Sequence, residues 1–429
     1  MKKFGILVLL LSSLACGDEV YTVDELILKA LENSPDLKIS LAQVKTSKSR
    51  IDIASSSYLP LVNLHLSTGI NGQSDVPTNP NKMVNDSLIQ GTLSLKQIIY
   101  NFGKTEANVD SFKYDSESFE MINFQDISDK KRDVKFNYYN VLKALALIKV
   151  HKENIKLNES QLYRSQKYFE AGIRTKIDIS DAQVELIKSK LDLKKAQYDL
   201  QLAYASLDRV VSFKDSDAKY SVYFGGLDIK NLYSSLSDYS LNLKDSVNYA
   251  YDNRYQIKRY MADIKTAKAK STLTYSEYYP ELYLNADYTK QRVDKFEGSI
   301  PENKWQTSLN LNWNLYQGGA TNASTQEKKV QIAIAHAKLE DAKLSIKKET
   351  TEAYINVYKA KDTVKLSQSL VDVSNEKFEQ ASKRYEHGLS DYIELQQSRQ
   401  SYIDSLASLV INYYNYYQAV AYLDNAIGK

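Results

Sequence analysis

Apolar side chains recur at alternating steps of three and four residues in the segment from residue 179 to residue 210. The seam consists of Ile179, Ala182, Leu186, Leu193, Ala196, Leu200, Ala203, Leu207 and Val210, with Ser189 as its one polar member. This spacing is that of a heptad repeat and predicts a helix that packs lengthwise on a neighbour. A soluble coiled coil or a stalk has the same pattern, so this segment alone does not define the architecture.

A different period follows Pro301. Odd positions carry mainly apolar side chains, namely Trp305, Thr307, Leu309, Leu311, Trp313 and Leu315. Even positions carry mainly polar ones, namely Gln306, Ser308, Asn310, Asn312, Asn314 and Tyr316. This alternation predicts a β-strand with one apolar and one polar face. A strand of a soluble β-sandwich shows similar alternation.

Three features favour a membrane strand over a sandwich strand. Trp305 and Trp313 are eight residues apart, about 26 Å along a strand and about 20 Å once the strand is tilted. That separation suits aromatic anchors at both edges of a membrane's apolar band. Two other segments alternate in the same way, around residues 62–68 and 282–288. Finally, the chain holds only about four such strands, with no second sheet to cover them.

Four strands cannot close a barrel alone, and a bilayer does not tolerate open sheet edges. Two copies would give eight strands, in a barrel usually filled by its own side chains. Three copies would give twelve strands and a wet lumen lined by serines and asparagines. The sequence therefore favours an oligomer of at least three chains.

Much of the chain also repeats. Between Gly103 and Gly172 there are 68 glycine-free residues, and again 68 between Gly319 and Gly388, which predicts two helices of about 100 Å. The segment that starts at Tyr138 returns 216 positions later; upstream of about residue 60 the shift is 220. Each copy is predicted as helix, strand, strand, long helix, glycine turn, helix. We expect the first repeat over residues 18–211, a connector over 212–240 and the second repeat over 241–429.

The first seventeen residues predict an export signal. Lys2 and Lys3 precede a short apolar run and then small residues, and the run is too short to span a bilayer. Cys16 is the only cysteine, and it is either a lipid-attachment site or part of a signal cleaved after Gly17. A lipid-attachment site usually has an aliphatic residue three places before the cysteine, and Ser13 stands there. We expect cleavage near Gly17 and an unlipidated start.

Charge and motifs exclude several classes of protein. The 56 basic and 53 acidic residues give a net charge of +3, without the concentrated basic face of a nucleic-acid binder. The four histidines are scattered at residues 65, 151, 336 and 387, and no metal spacing, P-loop or serine elbow occurs. We expect no cofactor and no catalysis. The remaining alternative to a channel is a coiled-coil structural or adhesive protein of the envelope.

Over essentially the whole mature chain, the sequence resembles the TolC family of outer-membrane efflux proteins. The resemblance is carried by Tyr58-Leu59-Pro60, Asn101-Phe102-Gly103, Tyr316-Gln317-Gly318-Gly319, the two Tyr-x-Asn-Val segments and the two glycine turns. It implies a mainly α homotrimer in the cell outer membrane. A 12-stranded β-barrel would be joined to a long coiled-coil α-barrel that forms a periplasmic tunnel, with an equatorial belt built partly by the connector.

The resemblance also implies function and partners. Members of the family are passive exit ducts for drugs, other small molecules or proteins, in tripartite efflux or type I secretion systems. We therefore expect outer-membrane lipid around the barrel, a periplasmic adaptor protein at the tip and an inner-membrane pump of the RND, ABC or MFS type.

A gate at the periplasmic tip is implied as well. The family's ring of acidic side chains falls on Glu394 and Gln397, and the matching positions of the first repeat hold Asp178 and Asp181. The family's closing latch uses a tyrosine and an arginine. Tyr385 supplies the tyrosine, but a serine stands at position 390, where the arginine would be, so Arg174 is the candidate replacement. Solvated charges at helix ends are the alternative interpretation of these residues.

The adaptor-docking positions of the family match the two glycine turns. These are Gly172 with Ile173 and Gly388 with Leu389. Glycine admits a backbone conformation that other residues resist, so each glycine is also explained by the turn alone.

Overall fold

The computed structural model describes residues 19–73, 84–213, 220–225, 228–294 and 302–429. The predicted signal and Cys16 lie outside these ranges. The helices are α1 (Val23–Asn33), α2 (Pro35–Ser55), α3 (Lys104–Glu170), α4 (Lys176–Val211), α5 (Leu243–Asn253), α6 (Tyr255–Tyr275), α7 (Ala320–Glu386) and α8 (Tyr392–Ile427). The strands are β1 (Glu19–Tyr21), β2 (Leu61–Gln73), β3 (Val84–Tyr100), β4 (Tyr220–Val222), β5 (Glu281–Asp294) and β6 (Asn303–Asn312).

Helices in the two halves of the chain have equal lengths. The helices α1 and α5 have 11 residues each, α2 and α6 have 21, α3 and α7 have 67, and α4 and α8 have 36. Two strands stand between the second and third helix of each half. Each half therefore has the same order of elements, with two helices before its strands where the sequence predicted one.

The predicted first helix, Val23 to Ser57, is wrong as a single element. It is broken at Ser34, whose φ of −55° and ψ of 120° are not helical. The cause is Pro35, because a proline disfavours the helical conformation of the residue before it. The second half breaks in the same way at Arg254, with φ −59° and ψ 123°, although no proline follows there.

Four strands form one antiparallel sheet in the order β2-β3-β5-β6. One row of paired residues crosses all four strands. It consists of Leu64 in β2, Leu93 in β3, Tyr288 in β5 and Trp305 in β6, each directly opposite the next. Because side chains alternate along each strand, these four share one face. Several apolar members of that face are exposed to 47–78% of their surface, with Leu93 and Trp305 at the two ends of that span. Others, such as Leu95 and Leu284, are half-buried.

The predicted strand after Pro301 is shorter than its alternation suggested. The strand β6 ends at Asn312, so Trp313 and Leu315 lie beyond it. A second, parallel pair of strands, β1 with β4, was not predicted. Three residues are too few to show a period.

The heptad seam of α4 is buried or half-buried along its length. Its polar member, Ser189, donates its hydroxyl to the carbonyl of Leu186 in the same helix at 2.9 Å. The hydroxyl is therefore satisfied without a partner across the seam. In the part of the chain that the structure describes, no helix is both long and apolar enough to cross a membrane.

The chain forms two compact units. One contains residues 38–125 and 254–345, and therefore the four-stranded sheet. The other contains residues 126–253 and 346–429 together with the N-terminal segment. The second unit holds the two glycine turns and the connector.

Candidate functional site

Two turns of the same geometry end the long helices. Gly172 and Gly388 have φ of +72° and +73°, the left-handed region that glycine adopts without strain. The residue after each glycine donates its N–H back to the helix: Ile173 to the carbonyl of Tyr168 at 2.9 Å and Leu389 to that of Arg384 at 2.8 Å. The side chains of Ile173 and Leu389 are 64% and 69% exposed. Each turn thus presents an apolar side chain to solvent.

Tyr385 lies in the core between the helices that these turns join. It is 1% exposed and belongs to a buried cluster with Ala182, Ala381, Tyr392 and Leu395. Its hydroxyl makes no hydrogen bond of good geometry within the described residues, although Ser165 is a nearby polar neighbour. Burial raises the pKa of Tyr385, and the charge of Asp178 adds to the effect. The tyrosine therefore stays neutral and acts through its ring.

Arg174 connects the first turn to the second. Its guanidinium lies 4.6 Å from the centroid of the Tyr385 ring, within cation–π range. Its Nη2 donates to the backbone carbonyl of Ser390 at 3.0 Å. Arg174 is thus the arginine that bridges the turns, and Ser390 contributes its main chain rather than its side chain.

Asp178 and Glu394 occupy equivalent positions in the first turn of α4 and of α8. The Asp178 carboxylate accepts from the backbone N–H of Thr175 at 3.3 Å in a capping box. Glu394 pairs with Arg384, with 2.8 Å between Oε1 and Nη1. Both side chains of that pair are over a third exposed, so its contribution to stability is below about 1 kcal/mol. The pair nevertheless compensates the charge of Glu394.

Asp181 and Gln397 are exposed, and among the described residues neither makes a hydrogen bond or ion pair to Arg174 or Tyr385. The Asp181 charge raises the pKa of Tyr392, though less than the burial of Tyr392 does. Gln397 lines a groove further along α8. Of the predicted tip residues, the structure therefore brings together Arg174 and Tyr385, with Asp178 near them.

Two ion pairs at the tip were not predicted from the sequence. Arg384 pairs with Glu394, and Arg164 of α3 pairs with Glu386 at the end of α7, with 2.6 Å between Nη1 and Oε1. The partners of the second pair are 222 residues apart. No spacing within one helix could have indicated either contact.

The predicted membrane anchors lie in the other unit. Trp305 is 78% exposed and lies opposite Tyr288, whose hydroxyl donates to Asn303 Oδ1 at 3.1 Å. Trp313 is 53% exposed, and its Nε1 donates to the carbonyl of Tyr278 at 3.0 Å. Each ring is apolar in body and has a hydrogen-bonding edge, which suits a membrane interface.

A further aromatic cluster was not predicted. Phe102 stacks on Tyr279 with centroids 5.0 Å apart and meets Tyr100 edge-on at 4.7 Å. Tyr275 lies 6.0 Å from Tyr279. All four rings are at least 41% exposed. The sequence did hold a signal for this cluster, because Tyr-x-Phe and Tyr-Tyr stand beside the predicted strands.

Comparison with known proteins agrees with this geometry. The model of the family described as "Outer membrane efflux protein" matches residues 26–211 and 247–429. The chain belongs to the outer membrane efflux protein family. It is 27% identical over 198 residues to the outer membrane protein TolC of Escherichia coli strain K12, covering 46% of this chain and 40% of TolC. The match thus spans less than half the length of that curated relative.

Solved structures share the fold over nearly the whole chain. The Campylobacter jejuni CmeC outer membrane channel superposes with a TM-score of 0.81 at 15% identity, over 95% of this chain and 85% of CmeC. A membrane protein from Pseudomonas aeruginosa gives a TM-score of 0.81 at 16% identity, over 95% and 93% of the two chains. These likenesses establish the TolC-type fold.

The Arg174 bridge yields a testable prediction. In Arg174→Gln, the cation–π contact and the charged hydrogen bond to Ser390 are lost, together about 1 kcal/mol or more at this half-exposed site. Amide hydrogens of the 388–391 turn should then exchange about fivefold faster. Hydrogen exchange read by mass spectrometry measures this. The control is Lys176→Gln, which removes an exposed charge nearby. Unchanged exchange in Arg174→Gln would contradict the bridge.

Proposed function

We propose that this chain is one protomer of an outer-membrane exit channel that serves a tripartite efflux or type I secretion system. The observation that carries the proposal is the four-stranded sheet, with one exposed apolar face, one polar face and aromatic rings at its ends. A stalk or adhesin needs no such sheet. Family membership and the TolC-type fold support the same function.

The proposed assembly is a homotrimer. Among the described strands, β2 and β6 are the outer ones of the sheet, and each has one edge without a hydrogen-bonded neighbour. Pairing β2 of one copy with β6 of the next removes every edge, and three copies give a 12-stranded barrel. The apolar face then contacts outer-membrane lipid, with Trp305 and Trp313 as interface anchors. The polar face, including Asn63, Thr92, Asn285 and Ser308, lines the lumen.

The proposed gate is at the tip formed by the two glycine turns. Arg174 holds the second turn through Tyr385 and Ser390, and Asp178, Asp181, Glu394 and Gln397 are the polar side chains around it. The exposed Ile173 and Leu389 offer apolar contacts to a periplasmic adaptor protein. An inner-membrane pump of the RND, ABC or MFS type would supply drugs, other small molecules or proteins. The channel itself performs no chemistry.

Assembly and conduction test this proposal together. The protein purified in detergent should have the mass of three protomers, and it should form discrete conducting steps in a planar bilayer. Native mass spectrometry and single-channel recording are the measurements. A stable monomer, or a trimer that does not conduct, would overturn the proposed function.

The adaptor contact is tested at Gly388. The Cβ of a substituted residue would meet no atom within 4 Å, and aspartate tolerates the left-handed conformation better than most residues. Gly388→Asp should therefore leave trimer assembly intact while placing a charge beside Leu389, and efflux-dependent resistance should fall to that of a strain lacking the channel. Gly388→Asn, of equal size but neutral, is the control for charge. Wild-type resistance in the Asp variant would remove this turn from the adaptor interface.

A further inference from the structure

The apolar face of the four-stranded sheet carries two basic side chains on β5. Because side chains alternate along a strand, Lys290 and Arg292 share the face of Tyr288. Both are exposed. In the register, Lys290 lies opposite Asn303 of β6, on the far side of the Tyr288 and Trp305 row from the helices. The face that is largely apolar beside the helices is therefore basic beyond that row.

The position of these side chains along the sheet matches the head-group level of a membrane. The helices α6 and α7 precede β5 and follow β6, so both adjoin the opposite end of this antiparallel pair. From Tyr279, near that end, to Tyr288 is nine residues, about 30 Å along a strand and about 23 Å after a tilt of about 40°. An apolar band about 25 Å tall would thus end near Tyr288. Lys290 and Arg292 lie about 7 Å and about 13 Å further along the strand.

Asn303 adds hydrogen-bond donors to this group. Its Oδ1 accepts from the Tyr288 hydroxyl at 3.1 Å, which leaves the two N–H donors of Nδ2 for a ligand. No ion pair reaches Lys290 within the described ranges. Arg292 contributes a planar guanidinium, whose donors match the oxygens of a phosphate. We call Lys290, Arg292 and Asn303 the outer donor cluster, and its chemistry suits an anion with several oxygens.

The surface beside the cluster decides between a soluble anion and a lipid. Towards the helices, the same face exposes Leu93, Trp305 and Leu309. A soluble anion would contact the donors alone, whereas a lipid would also lay its acyl chains on this apolar surface. Each CH₂ group removed from water contributes about 0.8 kcal/mol. The combination of donors above and apolar surface below therefore favours a lipid.

We propose that the outer donor cluster binds the phosphate groups of a lipid in the outer leaflet of the membrane. The inference rests on the proposed function, because barrel closure with the helices in the periplasm places this face and this end of the sheet in that leaflet. The phosphates of the lipid contact Lys290, Arg292 and Asn303, and its acyl chains extend along the apolar face. A trimer has three such sites.

The chain offers a closely matched control in Lys304. It follows Asn303 in β6 and lies opposite Thr289, so it is on the other face of the sheet, towards the proposed lumen. It is exposed, as Lys290 is. Replacing either lysine by glutamine removes one positive charge at nearly the same height, but only Lys290 borders lipid.

Native mass spectrometry of the detergent-purified trimer, titrated with the bisphosphorylated glycolipid lipid A, tests the inference. The wild-type trimer should bind up to three molecules. The double variant Lys290→Gln with Arg292→Gln should bind about tenfold more weakly or worse, because charged hydrogen bonds to the phosphates are lost. Asn303→Asp, of equal size, should also weaken binding, since it replaces donors by a negative charge. Lys304→Gln should bind as the wild type does.

Two further probes of the wild-type protein separate phosphate from lipid. Lipid A stripped of its phosphates should bind about tenfold more weakly than intact lipid A, because only the apolar contact remains. Excess inorganic phosphate should leave lipid A bound, because phosphate gains nothing from the apolar face. Full displacement by inorganic phosphate would show a site for a soluble anion and would overturn the lipid assignment.

The other failures are distinguishable as well. Unchanged binding in the double variant, or equal loss in Lys304→Gln, would overturn the outer donor cluster. So would equal affinity of the wild type for intact and stripped lipid A. Each of these results, in a trimer that conducts, would leave the channel function standing. A wild-type protein that forms no conducting trimer would overturn the proposed function itself, and this inference with it.

Discussion

Backbone hydrogen bonding at the sheet edges is the constraint on which the architecture depends. A strand edge carries free N–H and C=O groups, and in hydrocarbon each unpaired group costs several kcal/mol. The strands β2 and β6 are the outer strands of the described sheet, and the apolar face between them is too exposed for a soluble protein. One chain alone cannot both pair the outer edges of β2 and β6 and remove the apolar face from water. In the proposed trimer, closure between copies would meet both requirements, and it would also set the number of helices around the proposed tunnel.

The helices show the same incompleteness in a single chain. In α4, Ala182, Ser189 and Ala196 form a buried seam. Nearly opposite, Ile177, Val184, Leu191 and Tyr198 repeat every seven residues and are 49–69% exposed. A helix with two apolar seams packs between two neighbours, which is the arrangement in a tube of helices. The protomer thus leaves apolar surface on its helices, as on its sheet, and in the proposed trimer another copy would cover it.

Periodic features could be predicted from the sequence, and contacts between distant segments could not. The glycine-free stretches gave helices that are 67 residues long in the structure, because helices of this length depend on local propensity and a repeating seam. The break at Ser34 had a local signal in Pro35. The break at Arg254 has no proline, but it lies 220 positions later, at the equivalent place of the repeat. The hydrogen bond from Arg174 to the Ser390 carbonyl joins residues 216 apart. It depends on how the two turns meet, which no local pattern encodes.

Cross-linking of the sheet edges tests the central claim most directly. A cysteine at Leu64 of β2 would be combined in turn with a cysteine at Thr307, Leu309 or Leu311 of β6, all on the apolar face. Directly opposed side chains on paired strands have Cβ atoms about 5 Å apart, within reach of a disulfide. The account predicts that one combination gives covalent dimers and trimers on a non-reducing gel. Leu64→Cys with Ser308→Cys, on the opposite face, should stay monomeric. Monomers from every apolar-face combination, in protein that is folded and in the membrane, would contradict closure of the sheet between copies.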